Sequence, residues 1–156
     1  MVKEAGYRLN VGLIIVNNNG KLLLCKRKNS KNWQFPQGGI NKDETERNAS
    51  YRELFEEVGL KKNSVRLLAK SEKWYKYDIP KDKRKFNQIS SNFKGQKQKW
   101  FLYKLIKNDA IDFSNDPDNE FDSYKWVSYW YPLSKIVFFK KDIYRRILNE
   151  FKEFIK

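Results

Sequence analysis

Residues 38–60 run GGINKDETERNASYRELFEEVGL, and the fold follows from how this stretch is read. Glu53, Glu56 and Glu57 stand at i, i+3 and i+4, so on a helix their side chains share one face about 5–6 Å apart. Each like-charge neighbour of this kind is unfavourable by roughly 0.2–0.5 kcal/mol. A stripe of three carboxylates therefore calls for a cation above it. A hard divalent ion with oxygen ligands, Mg²⁺ first, meets that need, because it binds a few carboxylates together with substrate phosphates.

The spacing predicts a helix. Asp43 and Thr45 are candidate N-caps, Glu44 and Glu46 suit the positive end of the helix dipole, and Gly59 follows its last turn. Tyr51, Leu54, Phe55 and Val58 repeat at i, i+3, i+4 and i+7 and predict an apolar stripe beside the acidic one. An acidic surface face on an amphipathic helix is the competing account of Glu53, Glu56 and Glu57 taken alone. The arginine before them and the glycines at both ends of the stretch favour the chemical account.

Gly38, Glu44, Arg52, Glu53, Leu54, Glu56, Glu57, Gly59 and Leu60 together resemble the signature of the Nudix family. The resemblance implies hydrolysis of a nucleoside diphosphate linked to another group, with Mg²⁺ or Mn²⁺ held by the glutamates of this box. It implies Glu53, Glu56 and Glu57 as metal ligands, with the carbonyl near Gln37 and Gly38 as a further one. Glu120 is a candidate ligand or base, and Glu53 the first choice for the base. Arg52 is expected to pair with a box carboxylate and orient it, and Glu44 to act as a structural cap.

The remaining segments supply a sheet. Gly6–Val16 predicts a first strand, residues 17–20 a turn, and Lys21–Lys26 its hairpin partner. Pro36 makes residues 33–39 a short edge strand or extended segment that delivers Gly38 and Gly39, whose backbone can approach a metal or phosphate closely. Val65–Tyr77 predicts one strand or two, residues 78–95 a long surface loop, Gly95–Ile106 a strand, residues 108–122 an acidic loop, and Tyr124–Ser128 a last strand. Ile143, Ile147, Phe151 and Phe154 mark a C-terminal helix. Strands with one internal and one terminal helix imply an α/β protein, a three-layer α/β/α sandwich on a mixed sheet. The Nudix fold has that architecture.

With 156 residues the chain has room for one domain, spanning 1–156. Its single cysteine, Cys25, excludes an internal disulfide and points to a reducing compartment, with a buried strand thiol as the expected state. No run approaches the ~18 apolar residues of a membrane span, and the N-terminus lacks the apolar core of a signal peptide, so a cytoplasmic location and no membrane partner are expected. Formal charge is +14, and residues 61–107 hold 15 Lys+Arg against three acids, a net +12. Such a concentration suits a polyanion, RNA ahead of a membrane surface, although a lysine-rich composition by itself also produces it.

Beyond the box, Gly6-Tyr-Arg8, Trp33-Gln-Phe-Pro-Gln-Gly-Gly39, Gly95-Gln-Lys-Gln-Lys-Trp-Phe101, Glu120-Phe-Asp122 and Trp126-Val-Ser-Tyr-Trp-Tyr-Pro132 resemble the RNA pyrophosphohydrolase branch of the family. That resemblance implies 5′-triphosphorylated RNA as the substrate, with diadenosine polyphosphates as the small-molecule alternative. A catalytically silent RNA-binding module is the alternative from another class, and the intact glutamates speak against it. The resemblance also implies a cleft in which Arg27 and Phe139 sandwich a base beside Val137. By pattern alone, Phe138 and Phe139 would be core. Arg8, Tyr77, Lys97, Lys99 and Lys140 are candidates for phosphate contacts. Leu9 stands where relatives have proline, and the sequence stops without the basic tail some relatives carry, so weaker nonspecific RNA affinity or weaker partner contacts are expected. No activating protein partner is identified by the sequence.

Overall fold

A computed structural model describes residues 2–84 and 93–155. In chain order its elements are β1 (Lys3–Glu4), β2 (Tyr7–Val16), β3 (Leu22–Arg27), β4 (Trp33–Gln34), β5 (Gln37–Gly39) and α1 (Glu46–Val58), then β6 (Val65–Lys70), β7 (Tyr75–Asp78), β8 (Gly95–Leu105), β9 (Phe121–Val127) and α2 (Lys141–Phe151). The long loop expected over residues 78–95 falls partly on residues 85–92, outside the described residues.

β2 and β8 form the spine, parallel from Tyr7↔Gly95 to Val16↔Lys104. Every β2 residue from Asn10 onward is buried, as a strand covered on both faces requires. Ile14 and Val16 join Trp100, Leu102 and the α2 residues Ile143, Tyr144, Ile147, Leu148 and Phe151 in one core. Val11, Leu13 and Ile15 point the other way, onto Ala49, Leu54 and Val58 of α1 and onto Phe101 and Tyr103. The result is the expected α/β/α sandwich on a mixed sheet, with β6 and β7 antiparallel to β8.

The hairpin between the first two long strands does not form as expected. The turn is present, since Asn17 N–H donates to Lys21 O at 2.9 Å, but β2 and β3 pair only at Val16↔Leu22. The free edge of β2 is taken by β5, at Asn10↔Gly39, Val11↔Gly38 and Gly12↔Gln37, and by Leu13 N–H donating to Pro36 O. β3 pairs instead with β9 and β4. An edge already satisfied by a third strand cannot serve a hairpin partner, so the strands diverge.

Helix α1 is capped at both ends as its sequence predicts. The Thr45 side chain accepts from Asn48 N–H, and Gly59 adopts φ +75° with its N–H on Phe55 O. A Cβ at Gly59 would lie 2.7 Å from Asp112 Cβ, so glycine also lets the acidic loop dock on the helix end. The helix is rotated from the expected stripe. Phe55 is 38% exposed, whereas Glu53 and Glu57 are buried alongside Ala49, Ser50, Leu54 and Val58. At the other helix, Phe154 lies beyond the last α-turn and is exposed rather than part of the stripe. Cys25 is fully buried in β3, as expected.

The approach to β5 is fixed from α2. Phe35 N–H donates to Tyr144 Oη at 2.8 Å, and the two rings stack with centroids 4.7 Å apart. Tyr144→Phe leaves that buried N–H without a partner at a cost of about 1–3 kcal/mol. Thermal unfolding should register the loss; an unchanged Tm would show that another acceptor replaces the phenol.

Candidate active site

Arg52 organises the site. Its Nε and Nη2 donate to the two oxygens of Glu44 at 2.8 and 3.0 Å, and Nη2 also to Gly39 O at 2.7 Å. Nη1 donates to Glu53 Oε1 at 2.8 Å and to Glu56 Oε2 at 3.2 Å. Arg52 thus bridges Glu44, Glu53 and Glu56. Glu44, which also accepts from Asn41 N–H, serves by holding Arg52 in a fork of two parallel bonds.

Gly38 leaves the space that Glu53 fills, since a Cβ there would lie 1.9 Å from the Glu53 carboxyl carbon. Burial pushes Glu53 up from 4.5 to about 7, against the pull of Arg52 and with help from Glu56 and Asp116. Glu57 is pushed up further by burial and by the charges of Glu120, Asp116 and Glu53. Its Oε2 is buried without a hydrogen-bond partner.

Carboxylate oxygens of Glu57, Asp116 and Glu120 lie within 4.8 Å of one another. Asp116 had escaped the sequence analysis. It sits in an aperiodic loop, where no spacing rule singles it out, and it organises that loop: Oδ1 accepts from Asp118 N–H and Oδ2 from Glu120 N–H, both at 2.9 Å. The loop is anchored to β3 by Lys28 N–H on Glu120 O at 2.7 Å.

These carboxylates fit a divalent cation. They are hard oxygen donors converging on one space, with an orphaned buried oxygen among them and two acids whose charged forms are unfavourable without a compensating ion.

The cluster floors a cleft of about 850 Å³, lined also by Arg8, Arg27, Gln37 and Gly38. Arg27 is shared with a neighbouring pocket of about 240 Å³, walled by Trp33, Val137, Phe139 and Lys140. The structure therefore brings Arg8, Arg27, Val137, Phe139 and Lys140 to these two cavities. Phe138, a core residue by pattern, is 69% exposed.

Three other candidates stand outside the lining of both. Tyr77 is buried, its ring 5.9 Å from Phe139 and beneath the Lys140 ammonium at 5.5 Å. Lys97 is paired with Glu4 at 2.6 Å. Lys99 is only 8% exposed and donates to Glu72 O at 3.1 Å. Strand alternation turns both lysines to the face opposite Gln96 and Gln98.

Because the folded value of Glu53 lies above its ordinary 4.5, the metal-free fold favours the neutral acid. Stability from this source is complete below about pH 4.5 and is lost as pH rises through about 7, an interval worth roughly 3 kcal/mol. The Tm of metal-free protein should fall by roughly 6–12 °C from about pH 5 to about pH 8, and saturating Mg²⁺ should cancel most of the fall. A Tm–pH profile that keeps its slope in Glu53→Gln would overturn this assignment.

Comparison with known proteins places the chain in a family. The NUDIX domain model matches residues 6–147. The RNA pyrophosphohydrolase of Serratia proteamaculans (strain 568) is 49% identical over 152 residues, covering 97% of this chain and 86% of that protein. That of Klebsiella pneumoniae (strain 342) is 48% identical over the same coverage. Among solved structures, a C. elegans Ap4A hydrolase binary complex superposes with a TM-score of 0.69 at 19% identity, covering 94% of this chain and 98% of that one. The E. coli dihydroneopterin triphosphate pyrophosphohydrolase gives 0.68 at 17%, covering 92% and 98%. At that identity the two structures speak for the fold alone. With the box glutamates gathered around Arg52 and a family match spanning most of its length, the chain belongs to the Nudix family.

Proposed function

We infer that the protein is an RNA 5′-pyrophosphohydrolase. Its substrate is 5′-triphosphorylated RNA, its products pyrophosphate and RNA with a 5′-monophosphate, which opens the transcript to decay in the cytoplasm. The observation that carries this reading is the pairing of an acidic cleft, fit for a cation–phosphate complex, with an adjoining pocket walled by an arginine and an aromatic ring. Relatives 48–49% identical that bear the name RNA pyrophosphohydrolase support it.

Water adds across the anhydride linking the α- and β-phosphates: one P–O bond forms, the bridging P–O bond breaks, and pyrophosphate leaves. Glu53, Glu56, Glu57 and Glu120, with Asp116 and the Gly38 carbonyl, would hold Mg²⁺ or Mn²⁺. Such an ion, when bound, neutralises phosphate oxygens and makes a coordinated water more acidic. Glu53, set behind Gly38 with one oxygen fixed by Arg52, is placed to take the proton from the attacking water. Arg8 and Arg27 line the cleft and can offset phosphate charge. Arg27 and Phe139 face the neighbouring pocket, where guanidinium and aromatic planes suit an unstacked base.

Incubation with Mg²⁺ and 5′-triphosphorylated RNA should release pyrophosphate. Glu53→Gln should lower kcat by about 10²–10⁴ while the metal-free Tm holds or rises. Turnover near the unmutated rate would remove Glu53 from the mechanism, and a strong preference for diadenosine polyphosphates over RNA would favour the small-nucleotide reading. Phe139→Ala should cost about 1–3 kcal/mol in kcat/KM with little change in Tm if the ring stacks on a base. A core role predicts instead a stability loss of roughly 3–5 kcal/mol with normal activity per folded molecule.

A further inference from the structure

Arg27 lines both the acidic cleft and the neighbouring pocket, and a second link between them runs through the side chain of Gln37. It lines the cleft, and its Oε1 accepts from two buried donors: Gln98 Nε2 at 3.1 Å and Lys140 Nζ at 3.4 Å. Lys140 belongs to the wall of the pocket beside Val137 and Phe139. Gln98 is 1% exposed and also donates to Asn10 Oδ1 at 2.9 Å, which fixes its amide. One oxygen thus receives donors from β8 and from the turn leading into α2.

The backbone on the other side of Gln37 has no slack. The next residue is Gly38, where even a Cβ would collide with the Glu53 carboxyl group. β5 holds both residues in register with β2 at Gly12↔Gln37 and Val11↔Gly38. Lys140 is an ammonium 6% exposed, with the Tyr77 ring at 5.5 Å and the charges of Arg27 and Glu120 acting on it. Lys140, in the pocket wall, thus contacts the Gln37 oxygen, and Gln37 leads directly to Gly38 and the Glu53 carboxylate behind it. Because these groups are buried, each bond in the chain is costly to leave unmade.

We propose that Gln37 is a positioning residue that couples the base pocket to the carboxylate cleft, so that a seated base raises turnover and not affinity alone. The inference rests on the proposed function, since it needs a substrate that carries a base beside its phosphates. It assigns the specificity of the site to kcat as well as to KM.

A double-mutant cycle on kcat tests it, with Gln37→Met removing the acceptor at similar volume and Phe139→Ala impairing the pocket. In the unmutated background Phe139→Ala should lower kcat about tenfold; with Gln37→Met, whose own kcat is about tenfold low, it should lower kcat less than about twofold and act through KM. Gln37→Glu keeps the acceptor and should restore the kcat response to Phe139→Ala. Gln98→Met reaches the same oxygen from its other side and should weaken the response, with thermal unfolding confirming that each variant folds. Effects on kcat that multiply independently, or a Gln37→Met enzyme with normal kcat, would overturn the proposal. Absence of turnover on triphosphorylated RNA by the unmutated enzyme would count against the RNA reading instead, and the same cycle would then be read with diadenosine tetraphosphate, whose adenine fills the pocket.

Discussion

The burial of Glu53 and Glu57 on one face of α1 is the constraint around which the site is built. Two carboxylates removed from water on adjacent turns repel and lose hydration, and the fold compensates from one side with a single guanidinium. Arg52 can do this because Glu44 and the Gly39 carbonyl hold it in place. Gly38 follows from the same constraint, since any side chain there would occupy the space of the Glu53 carboxylate. The acidic loop of Asp116 and Glu120 then closes on Glu57 and leaves one of its oxygens without a partner. A site so short of positive charge is a receptor for a cation.

This arrangement matches the electrostatics of a polyphosphate substrate. The chain as a whole is strongly basic at +14, yet the floor of its cleft is acidic and its rim carries Arg8, Arg27 and Lys28. Bare phosphates would be repelled by the floor, whereas phosphates that arrive with a divalent cation satisfy floor and rim together. Arg27 belongs to both cavities, and its contact with Glu120 at 3.8 Å ties the wall of the smaller pocket to the acidic cluster.

The departures from sequence expectation share a cause. Periodicity placed Phe55 on the packed face of α1, but the helix is turned so that Glu53 and Glu57 point inward; Arg52 and the space left by Gly38 accommodate Glu53, and a pattern of apolar residues registers neither. Adjacency along the chain suggested a β2–β3 hairpin, but β5 reaches the edge of β2 first. Charge counting drew attention to Lys97 and Lys99, while the pleat of β8 directs them away from the cleft.

What the sequence determined by itself is local: the extent and caps of α1 from Thr45 to Gly59, the buried central strand, the layered α/β class, and the glutamate spacing that demands a cation. These rest on residue periodicity and on cap chemistry acting over a few positions, so neighbouring residues suffice to specify them. The tertiary structure alone decided which carboxylates converge. Asp116 and Glu120 meet Glu57 from a loop some sixty residues downstream, and Gln37 meets Gln98 and Lys140 from two other elements. Such meetings depend on strand register and on the direction of each side chain, quantities fixed only when the sheet pairs and both of its faces are covered.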